Sequence, residues 1–172
     1  FIIENSDKNI SGKILNLKYL RHFSIKFYKC IKRLSKLVDG NKGSSTAFIY
    51  SNLVKAGGME IFAEALKENG YLEYEENRGN YNIEDKTIDY RTGKTFAEFK
   101  KNNLNLDDFY PATYILITGG SEDGGEDIPE IKQKIIREVF NNVENKNGKY
   151  IKFVLGSKVM TEGVTLENVR EV

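Results

Sequence analysis

The sequence predicts an α/β domain with a mainly parallel sheet flanked by helices, and three observations carry that prediction. Short apolar runs at 46–50, 71–74, 114–118 and 150–155 have the length and composition of buried strands. Helical periodicity separates them, at Met59, Phe62, Ala63 and Leu66 and again at Ile131, Ile135, Val139 and Phe140. Strands alternating with helices place crossovers on the faces of a parallel sheet. A chain of 172 residues is one domain on the usual scale of roughly 100–200 residues.

The elements follow in chain order. Between Lys13 and Val38, Leu20, Phe23, Phe27, Ile31, Leu34 and Val38 recur at steps of three and four, while Lys18, His22, Lys29, Arg33 and Lys36 share the other side, so one amphipathic helix with a basic outer face is expected. Asp39-Gly40 stops it, and 41–45 is a polar connection. Thr46 to Tyr50 is the first strand, and the helix after it ends at Gly70. Tyr71 to Tyr74 is the second strand, beginning a crossover unit with a right-handed connection. Residues 77–109 are polar, with a turn at Thr92-Gly93 and a short helix from Phe96 to Lys101, and are expected to be an insertion. Tyr114 to Thr118 is the third strand, and an acidic glycine-rich loop covers 119–127. Pro129 suits the first turn of the next helix, and Tyr150 to Leu155 is the fourth strand.

Charge is distributed unevenly. The formal net charge is +1, yet residues 8–38 hold nine basic side chains and no acid, leaving 17 basic and 25 acidic residues elsewhere. A polyanion or an acidic partner surface suits such a segment, and so does a plain solvated helix face. No apolar run approaches the roughly 20 residues of a membrane span. A single Cys30 excludes an internal disulfide and a multi-cysteine zinc site, which fits a reducing compartment. The start on Phe1-Ile2-Ile3 without Met or signal pattern, and the stop after Val172, read as cuts from a longer protein.

Few motifs carry chemistry on their own. Gly93-Lys94-Thr95 matches the end of a phosphate-binding loop, but Ile88 stands where the first glycine belongs and no apolar strand precedes it, so a surface turn is expected. Gly57-Gly58, Gly119-Gly120 and Gly124-Gly125 do not form a dinucleotide fingerprint. The acidic loop 122–127 suits a hard cation or plain solvent. His22 and Cys30 have no catalytic companions at a meaningful spacing.

Strand ends are more informative. Tyr50-Ser51-Asn52, Ile117-Thr118-Gly119 and Leu155-Gly156-Ser157 each place a small hydroxyl or glycine straight after an apolar strand. Ligands of open parallel sheets bind there, and hydroxyls with free amides position phosphate without reading sequence. Small polar residues also simply leave strands well, and both readings stand at this level.

The blocks Ser24-Ile25-Lys26-Phe27, Ala47 to Gly58, Tyr114 to Gly119 and Phe153 to Leu166, in that order, resemble the second RecA-like lobe of superfamily 2 helicases. The likeness is strongest to helicase-like ATPases of large DNA viruses, the group containing the poxvirus early transcription factor small subunit and its nucleoside triphosphatase relatives. It covers most of the chain from Ser24 onward, Phe153 to Leu166 being the most specific block and 77–109 the least.

The resemblance implies a RecA-like P-loop NTPase lobe occupying 1–172 of a longer protein. It points to Ser51, Asn52 and Lys55, then Thr118 and Gly119, then Gly156 and Ser157 as nucleic-acid backbone contacts, and to Glu162, Gly163 and Thr165 as the nucleotide side. It implies ATP and Mg2+ as cofactors of the parent protein, with DNA or RNA, the first RecA-like lobe of the same chain and transcription machinery as partners. An intracellular place follows, in host cytoplasm or virion. The phosphate-binding loop, acidic pair and arginines of a complete motor have no counterpart in this sequence, so the fragment by itself is expected to be inactive and to bind ATP poorly. A non-catalytic nucleic-acid-binding or transcription-factor module on the same fold is the rival reading. An unrelated doubly wound nucleotide-binding domain is a third.

Overall fold

The computed structural model describes residues 3–4, 10–39, 45–50, 58–117 and 128–156. Its centre is a four-stranded sheet of β3 (Ala47–Tyr50), β4 (Leu72–Glu73), β5 (Thr113–Ile117) and β6 (Phe153–Gly156). The spatial order is β3-β6-β5-β4 and every pairing is parallel. β3 and β4 are consecutive core strands in the sequence yet occupy opposite edges, so the connection between them crosses the whole sheet. A small antiparallel pair, β1 (Ile3–Glu4) with β2 (Ile10–Ser11), lies ahead of the first helices.

Side chains alternate between two cores, as the two-residue period of a strand requires. Ala47, Tyr114, Phe153 and Leu155 pack with Leu20, Ile31, Leu34, Phe62 and Leu66 of α1 (Leu17–Phe23), α2 (Ile25–Ser35) and α3 (Gly58–Glu68). Ile115, Ile117 and Val154 face the other way, onto Ile128, Ile136 and Phe140 around α5 (Glu130–Ile135) and the turns that continue it. Helices therefore cover both faces. Burial of the central strand is complete, with Phe153, Val154 and Leu155 all inaccessible to solvent.

Two helices depart from the expected pattern. The single helix expected from Lys13 to Val38 is a short 3-10 turn (Lys13–Leu15) followed by α1 and α2, broken at Ser24. Ser24 is extended (φ −153°, ψ 111°), and its hydroxyl accepts the Phe27 amide at 3.2 Å, so it caps the second helix instead of continuing the first. The apolar stripe survives because both helices turn it inward. In α5, Ile131 belongs to the expected buried stripe but is 68% exposed. The helix widens to a π-turn over Ile136–Phe140, closed by Asn141 N–H to Ile136 C=O at 2.9 Å; Phe140 of the expected stripe is buried, and Ile136, outside it, is buried as well.

The segment 77–109 folds against the edge of the sheet around one carboxylate. Asp89, 2% exposed, accepts from the amides of Arg91 (3.2 Å), Thr92 (2.9 Å) and Tyr110 (3.0 Å) and from the Thr92 hydroxyl (2.8 Å). Asp89 also bridges to Pro111 just ahead of β5, and α4 (Phe96–Lys101) packs Phe96 and Phe99 edge-on against Phe109.

Asn145 closes the far end of the second core. It is fully buried; its amide donates to the carbonyls of Phe140 and Ile151, and its oxygen accepts from the amides of Tyr150 and Ile151. Those bonds hold Tyr150 and Ile151 outside the sheet, so the last strand starts at Phe153 and not at Tyr150.

Candidate nucleic-acid interface

The register brings three strand ends into one row. Tyr50 lies opposite Gly156, and Gly156 lies opposite Ile117. With neighbouring strands about 4.8 Å apart, the last residues of β3, β6 and β5 span only about 10 Å. Ser51, Thr118 and Ser157 are the next residues in sequence. Gly156 is buried in the middle, and Tyr50 is 39% exposed with its ring 6.3 Å from that of Phe48. β4 stops short of this edge, because Glu73 is opposite Tyr114, three rows earlier.

Of the residues singled out from the sequence, Gly156 is described, and it takes the central place in that row. Ser51, Asn52, Lys55, Thr118, Gly119, Ser157, Glu162, Gly163 and Thr165 lie outside the described residues, as does the acidic loop.

Gly93-Lys94-Thr95 is a turn and a cap. Gly93 has φ +70°, the Lys94 carbonyl accepts from Asp89 N–H at 2.9 Å, and Thr95 forms a capping box with Glu98 at the start of α4. Its hydroxyl and backbone are thus committed, and the tripeptide does not suit phosphate. Cys30 is half-buried, and burial raises its thiol pKa, which suits packing. His22 is exposed. Among the described residues no group of three or more His, Cys, Asp or Glu is placed to hold a metal ion.

A second concavity was not anticipated. A cavity of about 300 Å³ near the amino ends of β5 and β6 is lined by Tyr74, Tyr81, Tyr110 and Tyr150 together with Arg78 and Glu138. The Tyr110 ring lies 3.8 Å from the Arg78 guanidinium carbon and 4.6 Å from the Lys149 ammonium, so its face is already taken by this chain's own cations. Close by, Lys152 is fully buried and donates to the Asn147 carbonyl at 2.9 Å. Burial pulls its pKa down to about 7, against the attraction of Asp89. Spacing along the chain carries no sign of this cluster, since its members come from four separate segments.

An all-parallel sheet sheathed by helices on both faces, with three neighbouring strands ending in one row, is a doubly wound α/β layout of the kind a RecA-like lobe has. Comparison with known proteins places it further. The chain is 46% identical over 172 residues to a protein of Acanthamoeba polyphaga mimivirus provisionally named an ATP-dependent RNA helicase, a match covering 99% of this chain and 15% of that protein. It is 26% identical over 151 residues to a provisionally named helicase of Invertebrate iridescent virus 3, covering 88% of this chain and 12% of that one. An African swine fever virus protein named as an early transcription factor large subunit homolog is 25% identical over 180 residues, covering 98% of this chain and 14% of its own length. The transcription-factor relative thus carries the large-subunit name, where the sequence blocks pointed to the small subunit. The chain is homologous to a segment of the helicase proteins of large DNA viruses, as the sequence blocks implied, and spans about 15% of the first of these relatives. No protein-family model matches the chain, and no solved structure does. No helix among the described residues is long and apolar enough to cross a membrane.

Proposed function

We propose that the chain is the second motor lobe of an ATP-dependent nucleic-acid helicase or translocase, working in viral transcription or DNA metabolism inside the infected cell or virion. The observation that carries this reading is the row Tyr50, Gly156 and Ile117, each of which is followed in sequence by a hydroxyl-bearing residue. In this reading Ser51, Asn52, Lys55, Thr118, Gly119, Gly156 and Ser157 hold the phosphate backbone of DNA or RNA through neutral hydroxyls, amides and one ammonium. Glu162, Gly163 and Thr165 face a nucleotide shared with the first RecA-like lobe. ATP supplies the free energy for closing and reopening the two lobes, and its phosphates and Mg2+ belong to the other lobe, since Gly93-Lys94-Thr95 is committed elsewhere. The residues of this lobe bind and position the strand.

The test compares a longer protein carrying this segment with its Ser51→Ala, Thr118→Val and Ser157→Ala variants. Strand-stimulated ATP turnover should fall by at least about tenfold, the scale on which a few lost backbone contacts act. Turnover that ignores all three changes, or ATP hydrolysis by the 172-residue chain alone, defeats the reading. A second reading is favoured by the African swine fever virus relative's name: a non-catalytic module that holds nucleic acid for transcription machinery. Retained strand binding with no ATP turnover in the longer protein selects it.

A further inference from the structure

The cations of the first two helices make a surface separate from the strand ends. Lys13, Lys18, Arg21, Lys26, Lys29, Lys32, Arg33 and Lys36 are all exposed, and residues 8–38 contain no acid. α1 and α2 turn Leu20, Ile31 and Leu34 into the core, which leaves the basic sides facing outward. Along α2 and the helical residue that caps it, Lys26, Lys29, Arg33 and Lys36 follow at steps of three, four and three, a single line about 15 Å long at 1.5 Å per residue. Like-charged neighbours at these spacings work against the helix they sit on. A bound polyanion removes that repulsion.

The placement of this hairpin relates it to the strand ends. Asn69, just past the end of α3, accepts the Leu17 amide at 2.9 Å and donates to the Leu15 carbonyl at 2.9 Å, tying the start of α1 to the amino side of the sheet, where the chain enters β4. Phe27 meets Phe62 edge-on at 5.2 Å, about two helical turns before Asn69 and so farther toward the carboxyl side than Leu17. The turn between the two helices, with Ser24 and the 58% exposed Ile25, therefore lies on the carboxyl side of Leu17, and α2 runs back from it toward Val38, whose carbonyl meets Gly93 in the segment ahead of β5.

We propose that this α2 line is a second phosphate-backbone contact, which binds a single strand of DNA or RNA where it leaves the strand-end row. The proposal rests on the function proposed above. A nucleic acid is favoured over an acidic protein because Ile25 is the one large apolar side chain exposed on these helices. Protein interfaces are anchored by aromatic and apolar groups and are depleted in Lys, whereas phosphate binding needs only spaced cations.

The experiment measures anisotropy of labelled oligo-dT and oligo-rU of about 20 nucleotides, between about 50 and 200 mM salt, on the full chain and two variants. One carries Lys29→Gln, Arg33→Gln and Lys36→Gln; the other carries Ser51→Ala, Thr118→Val and Ser157→Ala. Circular dichroism checks that each keeps its helices. Losing three phosphate contacts should flatten the slope of log affinity against log salt by about 2 and weaken low-salt binding at least about tenfold. Equal effects on dT and rU identify the phosphate as the ligand, and a preference for one identifies which nucleic acid supplies it. Unchanged affinity and slope in the glutamine variant overturn the inference, while loss in the hydroxyl variant shows that the strand-end reading still stands. Loss in the glutamine variant alone keeps the α2 line as a phosphate contact but removes the strand-end reading, and with it the place of α2 as a second contact on the same strand. Displacement of the oligonucleotide by an equal charge concentration of polyglutamate, with tighter binding of the polypeptide, overturns the inference in favour of an acidic protein partner.

Discussion

Replacing Lys152 with Met should make stability insensitive to a titration that the natural chain carries. The ammonium is fully buried beside Tyr90 and behind Asp89, and burial lowers its pKa from 10.5 to about 7. A drop of that size corresponds to about 5 kcal/mol of cost for holding the charge in the folded state. The sign follows from proton counting. Between pH 7 and pH 10.5 the unfolded chain keeps the proton and the folded chain has lost it, so stability rises with pH. Its slope approaches 1.4 kcal/mol per pH unit, or about 2 kcal/mol between pH 7 and pH 9. Below pH 7 both states are charged and the whole cost remains. Met keeps the stem that packs on Gly148 and gives up the ammonium's charge-assisted hydrogen bond to the Asn147 carbonyl, worth about 1.5–3 kcal/mol. Lys152→Met should therefore be the more stable protein at pH 6, by a few kcal/mol, with an advantage that shrinks as pH rises. Urea unfolding of both proteins at pH steps from 6 to 9, followed by circular dichroism, reads this gap, and titrations of groups not coupled to Lys152 cancel in the comparison. A gap that stays constant with pH refutes the reasoning, because Lys152 would then keep its ordinary pKa when folded.

Other positions make separate demands. Asn145→Ala strands two carbonyls and two amides in the second core and should cost about 3–5 kcal/mol, measured by urea unfolding. Asn69→Ala removes the bond to Ala65 and both bonds to the first helical segment; about 2 kcal/mol should be lost, and hydrogen exchange should quicken in α1 before it does in β6. Gly93→Ala forces an L-residue into φ +70° with its Cβ 2.9 Å from the Val38 carbonyl oxygen, so the melting temperature should fall by an amount equivalent to about 1–2 kcal/mol or more.

Much of the fold was legible because local pattern and burial agree where a strand or helix is covered on one side. Ala47 to Tyr50, Thr113 to Ile117 and the stripe of α3 appear close to where the apolar periodicity puts them. The break at Ser24 left a sequence sign, a serine ahead of an apolar period, but the stripe runs through it unchanged because a capped pair of helices buries the same residues as one long helix. Ile131 misled for a different reason: a period of 3.6 assumes a regular helix, and the π-turn after it shifts which residues face the core. The strand after Asn145 is shorter than its apolar run, because the amides of Tyr150 and Ile151 are held by the Asn145 side chain and not by the sheet.

The sequence alone determined the class of the chain: an α/β lobe, a basic first segment, and small polar residues following Tyr50, Ile117 and Gly156. Composition and period suffice for that, because each is a property of neighbours along the chain. Only the tertiary structure decided that those three strand ends stand side by side, since parallel pairing of β3 with β6 and β6 with β5 joins segments separated by the whole length between them. It likewise decided that Asp89, Asn145 and Lys152 are buried, charged or amide-bearing residues whose type by itself predicts exposure. Their burial depends on partners brought in from elsewhere in the chain, and no local pattern records which partners will arrive.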